Sequence, residues 1–273
     1  MATALRPLST GELLDRTFSL YRSHFVLFVG IFALPHLCVL AFQCLALAVQ
    51  ISGGNVRNVL MIFVLSLSAA VLSMVVTAAS QAATVVAVSQ VHLDRPASVI
   101  VSFSKVKHQI VGVIGLSLRV GLFVGLWSLL FIVPGILKAI EWSLAVPAKV
   151  LEDKSASEAM SRSSELSQGN RGRIFVIWVL FLVLSIGVSM LLQWPIQIAA
   201  RAGGGSISPV RNVAVVWRVA SLVAAFFAQC LVGPLVTIAF SLVYYDERVR
   251  KEAFDLQLMM TTIDAPEFQG APA

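Results

Sequence analysis

The sequence predicts an all-α fold: a polytopic membrane helix bundle of about six transmembrane spans, with amphipathic helices on the cytoplasmic side. Three observations predict it. Of the 273 residues, 58% are hydrophobic and only 12% charged, whereas soluble domains run near half apolar and a quarter charged. The apolar residues fall into long runs, and about 20 consecutive ones suffice to cross the hydrocarbon of a bilayer as a helix. Those runs are spread along residues 1–245 with short connections, which favours one membrane domain. The first run begins only near Phe25, behind a charged stretch, and is longer than the apolar core of a cleaved signal, so it is expected to stay as an anchor.

The elements follow in order. Ser9 and Glu12 are spaced as a capping box, each side chain accepting from the other's backbone N–H. The helix they open, about residues 9–24, mixes Leu13, Leu14, Phe18 and Leu20 with Asp15, Arg16 and Arg22, a pattern suited to the headgroup region. Span one covers about 25–51, and Gly53, Gly54 and Asn55 mark an outer turn. Span two covers about 58–92, and its second half carries Ser73, Thr77, Gln81 and Thr84 at helical spacing. Such a weakly polar face belongs against other helices. Asp94, Arg95 and Pro96 end it, and a short amphipathic segment with Lys105, Lys107 and His108 follows.

Span three covers about 109–133, and its Gly121 and Gly125 form a GxxxG that permits close helix approach. Pro134 and Gly135 break it. Span four, about 136–151, is short and carries Lys138 and Glu141. Ser155 and Glu158 make a second capping box, and Gly169 with Asn170 a helix stop. In the helix between them, Ala156, Ala159, Met160, Ser163 and Leu166 share a narrow face suited to docking on the bundle end. Span five covers about 174–198, and Gly203, Gly204, Gly205 and Pro209 form a loop. Span six covers about 213–245, with a kink expected at Gly233 and Pro234. Residues 246–273 read as a charged cytoplasmic helix and a disordered tail.

Charge sets the orientation. With both termini cytoplasmic and six crossings, the inner side receives most of the basic residues, from Arg6, Arg16 and Arg22 to Arg248, Arg250 and Lys251. The outer loops receive Arg57, Arg201 and Arg211. If 136–151 did not cross, the basic segment 152–173 would lie outside, so the charge rule argues that it crosses or nearly so. The net charge of +6 is not a nucleic-acid signature, because nearly all the acids share the same cytoplasmic segments. Expected partners are membrane lipids and, at the cytoplasmic face, a protein.

No complete catalytic constellation is visible, and no cofactor or metal is expected. The histidines lack ligand spacing, no serine sits in a GxSxG elbow, and no glycine loop matches a phosphate cradle. His36 follows Pro35 and is read as bonding a carbonyl that the proline frees. Cys38, Cys44 and Cys230 lie in apolar runs and are read as small hydrophobes. The acidic pairs Glu152 with Asp153, and Asp246 with Glu247, are read as solvated helix-end charges. The sharpest signal is the intramembrane charge cluster Glu141, Lys138, Arg218 and Arg119, because such residues are paired or functional. Glu141 and Arg218 are expected at one depth near the outer leaflet, and hence as an ion pair, with Lys138, three residues before Glu141 on the same helix face, as the competing partner. If the cluster is instead a ligand site, the excess of cations favours anionic lipid headgroups.

Three stretches resemble a known family: LRPLSTGELLDRTFSLYRSHF from Leu5, IVPGI from Ile132 with VPAKVLEDKSASEAMSRSSELSQGNRGRI from Val146, and LVYYDERVRKEAFDLQLM from Leu242. Together they resemble the membrane domain associated with some bacterial glycerophosphoryl diester phosphodiesterases, and its stand-alone relatives. In the fused proteins hydrolysis belongs to a separate barrel of roughly 200 or more residues. Only a short tail follows Tyr245 here, so catalysis is not carried over. The resemblance implies a multi-pass protein of the bacterial inner membrane. The function expected is non-catalytic, a scaffold or accessory factor in lipid or envelope homeostasis. The alternative is a transporter or lipid-handling permease that uses the buried charges. An internal cavity lined by Glu141, Arg218 or Arg119 would favour the permease, and mutual satisfaction of those charges in a closed bundle the scaffold.

Overall fold

The structure, a computed structural model, describes residues 8–52, 56–92, 95–202 and 211–263. It describes no side chains at 52, 56–58, 202, 211–214 and 253–263. The expected turn at Gly53, Gly54 and Asn55, the residue Asp94, the loop with Gly203, Gly204, Gly205 and Pro209, and the tail beyond 263 lie outside the described residues.

Within them the regular structure is entirely helical, in the order α1 (Thr10–Ser23), α2 (Phe25–Ser52), α3 (Val56–His92), α4 (Val99–Val106), α5 (Ile110–Leu130), α6 (Ile132–Glu141), α7 (Ala145–Glu152), α8 (Ala156–Ser167), α9 (Arg171–Ala202) and α10 (Arg211–Ile263). Among the described residues five helices, α2, α3, α5, α9 and α10, are long and apolar enough to cross a membrane. The chain is an all-α membrane protein.

The expected fourth span is not one helix. Residues 136–151 divide between α6 and α7, with non-helical backbone from Trp142 to Leu144. The preceding break also differs from the one read at Pro134. The chain turns at Phe131, the one extended residue between α5 and α6 (φ −152°, ψ 132°), and Pro134 falls in the first turn of α6. There a missing N–H costs nothing, because first-turn donors have no helical partner. Close packing of Gly135 on Ser128 and of Trp142 on Phe123, with ring centroids 6.0 Å apart, folds α6 back along α5. The GxxxG at Gly121 and Gly125 is not the contact: a Cβ at either would meet nothing within 4 Å. The close approach is at Gly112, where the stem of Lys149 passes.

Both capping boxes form. The Ser9 and Glu12 exchange spans 3.3 and 2.8 Å, and the Ser155 and Glu158 exchange 3.3 and 2.9 Å. Gly169 adopts φ +86°, the left-handed conformation that ends α8 without steric cost. Helix α10 runs unbroken through Pro234. Its 53 residues would span about 80 Å at 1.5 Å per residue, against about 30 Å of hydrocarbon. A large part of it therefore projects from the bilayer.

Helix α1 does not simply lie among headgroups. It packs along that part of α10, burying Leu13 and Thr17. Its start is tied by the Leu8 N–H to Asp246 Oδ1 at 2.7 Å, and its end by the Tyr21 hydroxyl to the Leu231 carbonyl at 3.0 Å. Helix α3 divides the same way. Val59, Leu60, Phe63 and Leu67 are exposed, while Ala82, Ala83, Val85 and Val88 are fully buried. The core at the buried end joins Phe28, Phe32, Leu116, Leu144, Ile177 and Tyr244. The expected docking face of α8 is used within the chain, with Ala159, Ser163 and Leu166 fully buried.

That end is locked by ions. Asp246 is 5% exposed and Glu247 is fully buried, so this acidic pair is not solvated. Arg173 bridges both, at 3.3 Å to Glu247, and donates to the Leu8 carbonyl at 2.9 Å. Arg250 adds 2.9 Å to Asp246 and Asn170 adds 2.6 Å to Glu247. Glu152 is likewise held, by Lys154 at 2.9 Å, Arg162 at 3.2 Å and the Tyr244 hydroxyl. Only its neighbour Asp153 is exposed, at a left-handed backbone position, where it accepts from Gln109 at 2.7 Å.

Burial alone would raise the Glu152 carboxyl, but hydrogen bonds from Tyr244, Lys154 and Arg162 outweigh it and lower the pKa from 4.5 to about 2. A carboxylate held down in the folded state stabilises in full above its unfolded pKa. That contribution disappears as pH falls through the window from 4.5 to about 2. Unfolding temperature in mild detergent should decline across this window, and Glu152→Gln should flatten the decline. An unchanged slope in the variant would assign acid sensitivity to other groups.

Candidate functional site

The four charges singled out in the sequence separate. Glu141 ends α6, half-buried, and accepts from Ser164 of α8 at 2.5 Å and from Lys138 at 3.1 Å, with Arg171 of α9 at 3.5 Å. It is not paired with Arg218. The expected match in depth assumed that α6 starts at the outer face. Instead the α5–α6 turn lies only the length of α6 from Glu141, which is held by α8 and the first residue of α9. Arg218 sits near the opposite end of α9, in a cavity with Gln197 and Ala200.

Glu141 and Arg119 line one open pocket of about 430 Å³ between the α5–α6 hairpin and α8. Phe123, Trp142 and Met160 supply its apolar wall, and Ser157, Ser161 and Ser164 its polar one. Lys138 stands beside it, its ammonium 5.2 Å from the centroid of the Trp142 ring. Ser163 staples the floor: its hydroxyl donates to the Glu141 carbonyl at 2.7 Å and accepts from Leu144 N–H at 3.2 Å.

A cavity of about 760 Å³ lies among α2, α3, α9 and α10. Its walls carry Gln43, Gln50, Ser66, Ser73, Gln197, Trp217, Arg218 and Ser221. Gln43 and Ser73 also line a second cavity of about 280 Å³ with His36, Thr77 and Gln229. Ser73 and Thr77 open in turn on a third, of about 240 Å³, with Gln81 and Ser117. The three are separate cavities that share lining residues along the polar face of α3, and together they are called the vestibule. From Ser66 to Gln81 it covers sixteen residues of that helix, a rise of about 22 Å at 1.5 Å per residue. At its two ends Trp217 Nε1 and Ser117 Oγ are buried with no hydrogen-bond partner among the described residues. Midway His36 donates from Nδ1 to the Phe32 carbonyl at 2.8 Å, with Thr77 3.4 Å from Nε2. That carbonyl is not the one Pro35 frees, which belongs to Ile31, four residues before the proline.

The chain matches no protein-family model, no curated protein and no solved structure. Its own geometry is what bears on function.

The polar face of α3 was legible from helical spacing, but the glutamines facing it were not singled out. They carried a signal. Gln43 and Gln50 are seven residues apart, on one face of α2, and Gln197 and Gln229 lie in apolar runs of α9 and α10. A buried primary amide needs partners as a charge does, so intramembrane glutamines belong in the same count as intramembrane charges.

Proposed function

We propose that the protein is a non-catalytic, lipid-handling permease that admits a polar-headed amphiphile into the vestibule between α2, α3, α9 and α10. The vestibule itself carries this reading over that of a passive scaffold. A closed scaffold would satisfy its intramembrane polar groups internally, whereas here Arg218 and several glutamines line open space. Arg218 is the formal charge on the walls of its largest part, which suits an anionic or acceptor-rich headgroup. Apolar faces of the same helices offer a path for acyl chains.

The location proposed is a bacterial inner membrane. In this topology α2, α3, α9 and α10 cross, the α5–α6 hairpin enters and returns, and both termini are cytoplasmic. An even number of crossings and the crowding of basic residues at the ion-locked end support it. The proposed kinship is with stand-alone relatives of the glycerophosphodiesterase-associated membrane domain. It is supported by the meeting of all three resembling stretches in one ionic network through Leu8, Arg173 and Asp246.

Ser73 borders all three cavities, so Ser73→Trp should plug the vestibule. Lipids and small amphiphiles co-purifying in mild detergent would be identified by mass spectrometry. One class should be enriched with the native protein and fall about tenfold in the variant, the effect of ~1.4 kcal/mol, at unchanged unfolding temperature. Identical lipid profiles from two equally stable proteins would refute the permease reading.

A further inference from the structure

We infer that the pocket between the α5–α6 hairpin and α8 binds the phosphate group of an anionic lipid whose acyl chains run along the hairpin. The site is separate from the vestibule and does not depend on its reading.

Charge comes first. Arg119 and Glu141 are the charged residues of the pocket wall, and Lys138 and Arg171 stand on Glu141 beside it, three cations to one acid. Glu141 is engaged by Lys138, Arg171 and Ser164. Arg119 therefore has no acidic partner among the described residues. Its guanidinium offers a planar fork of donors that fits a phosphate better than a lone ammonium does. On the facing wall Ser157 and Ser161 are exposed, one helical turn apart on α8, and bond to no other described residue. The pocket thus has surplus positive charge and unused hydroxyl donors, and its volume of about 430 Å³ falls within the usual range for small-ligand sites.

The other wall decides between a soluble phosphate and a lipid. Phe123 and Trp142 continue into an apolar surface on which Leu122 is 73% exposed and Leu129 84%. At the turn, Leu130, Phe131, Ile132 and Val133 are all exposed and all apolar. Apolar side chains in that number are costly to leave in water. From Phe131 back to Glu141 is the length of α6, ten residues, or about 15 Å. That is half of an approximately 30 Å hydrocarbon layer. A hairpin whose tip reaches the bilayer middle therefore holds this pocket at headgroup depth. A phosphate facing α8 with chains lying against Leu122 matches both walls; a free phosphate matches only one.

The test uses the full chain in a neutral detergent, titrated with short-chain phosphatidylglycerol, the equivalent phosphatidylcholine, inorganic phosphate and glycerol phosphate. Bound ligand is read by native mass spectrometry. Phosphatidylglycerol should bind, with the other three about tenfold weaker or worse. Arg119→Gln should weaken phosphatidylglycerol about tenfold, Ser161→Ala should act less strongly in the same direction, and Lys107→Gln, an exposed cation outside the pocket, should leave this affinity unchanged. Because Arg119 is exposed and unpaired, its variant should keep the unfolding temperature of the lipid-free protein. Unaltered affinity in Arg119→Gln overturns the proposal. Inorganic phosphate binding as tightly as the lipid, with the same dependence on Arg119, would reassign the pocket to a soluble phosphate. Loss on Arg218→Gln but not on Arg119→Gln would place the lipid in the vestibule instead.

Discussion

Arg173→Gln is expected to destabilise the protein by about 3–5 kcal/mol, the usual cost of removing one partner from a buried ion pair. Arg173 is the cation shared by Asp246 and Glu247, whose side chains are 2% and 0% exposed. Without it Asp246 keeps Arg250 and Glu247 keeps the neutral amide of Asn170, so two adjacent buried carboxylates would share one cation. The N-terminal segment loosens as well, because Arg173 and Arg250 both donate to the Leu8 carbonyl. Unfolding in mild detergent, followed with limited proteolysis at the N-terminus, reads both effects. Arg171→Gln is the comparison. That residue is 43% exposed and 3.5 Å from Glu141, and exposed pairs contribute at most about 1 kcal/mol. Equal losses in the two variants would mean that the Arg173 network is not the lock described.

Gly135→Val should be the most damaging change in the membrane-facing part. A Cβ at Gly135 would stand 2.0 Å from Ser128 Oγ and 2.7 Å from Ser128 Cα. The hydroxyl is able to rotate away, but the backbone of α5 yields only if the hairpin opens. Overpacking of this kind costs about 1–3 kcal/mol, occasionally more. Here it also separates the two strands of chain that form the lipid-facing pocket, so phosphatidylglycerol binding should weaken along with stability. Gly125→Val, where nothing lies within 4 Å, is the matched control. Ser128→Gly should rescue Gly135→Ala in part, by removing the Oγ contact and leaving the Cα one. A Gly135→Val protein as stable as Gly125→Val would show that the hairpin does not close there.

The sequence carried much of the fold in local signals. Both capping boxes, the stop at Gly169 and the buried face of α8 were legible because each depends on residues within a turn or two of one another. The apolar runs at α2, α3, α9 and α10 were legible because hydropathy is additive along a helix. The site was legible only in part. Lys138, Glu141 and Arg119 do gather, whereas Arg218 belongs to a different cavity. The acidic pairs at the helix ends looked solvated because the cations near them in sequence, Lys154 and Arg250, do not by themselves imply burial; the distant cation that bridges Asp246 and Glu247 is Arg173, from the start of α9.

What the sequence by itself determined is the class of the protein: an all-α membrane bundle whose helices begin and end where caps, glycines and apolar periodicity dictate. Only the tertiary structure decided that α5 and α6 turn back on each other, that α1 docks along α10, and that glutamines from three helices face the polar stripe of α3. The physical reason is that periodicity marks which face of a helix is buried but not which partner buries it. Depth along a helix is likewise known only relative to its own ends. Because α6 is only ten residues long and folds back on α5, Glu141 meets Ser164 and Arg171 at the base of the hairpin, and Arg218 lines a different cavity.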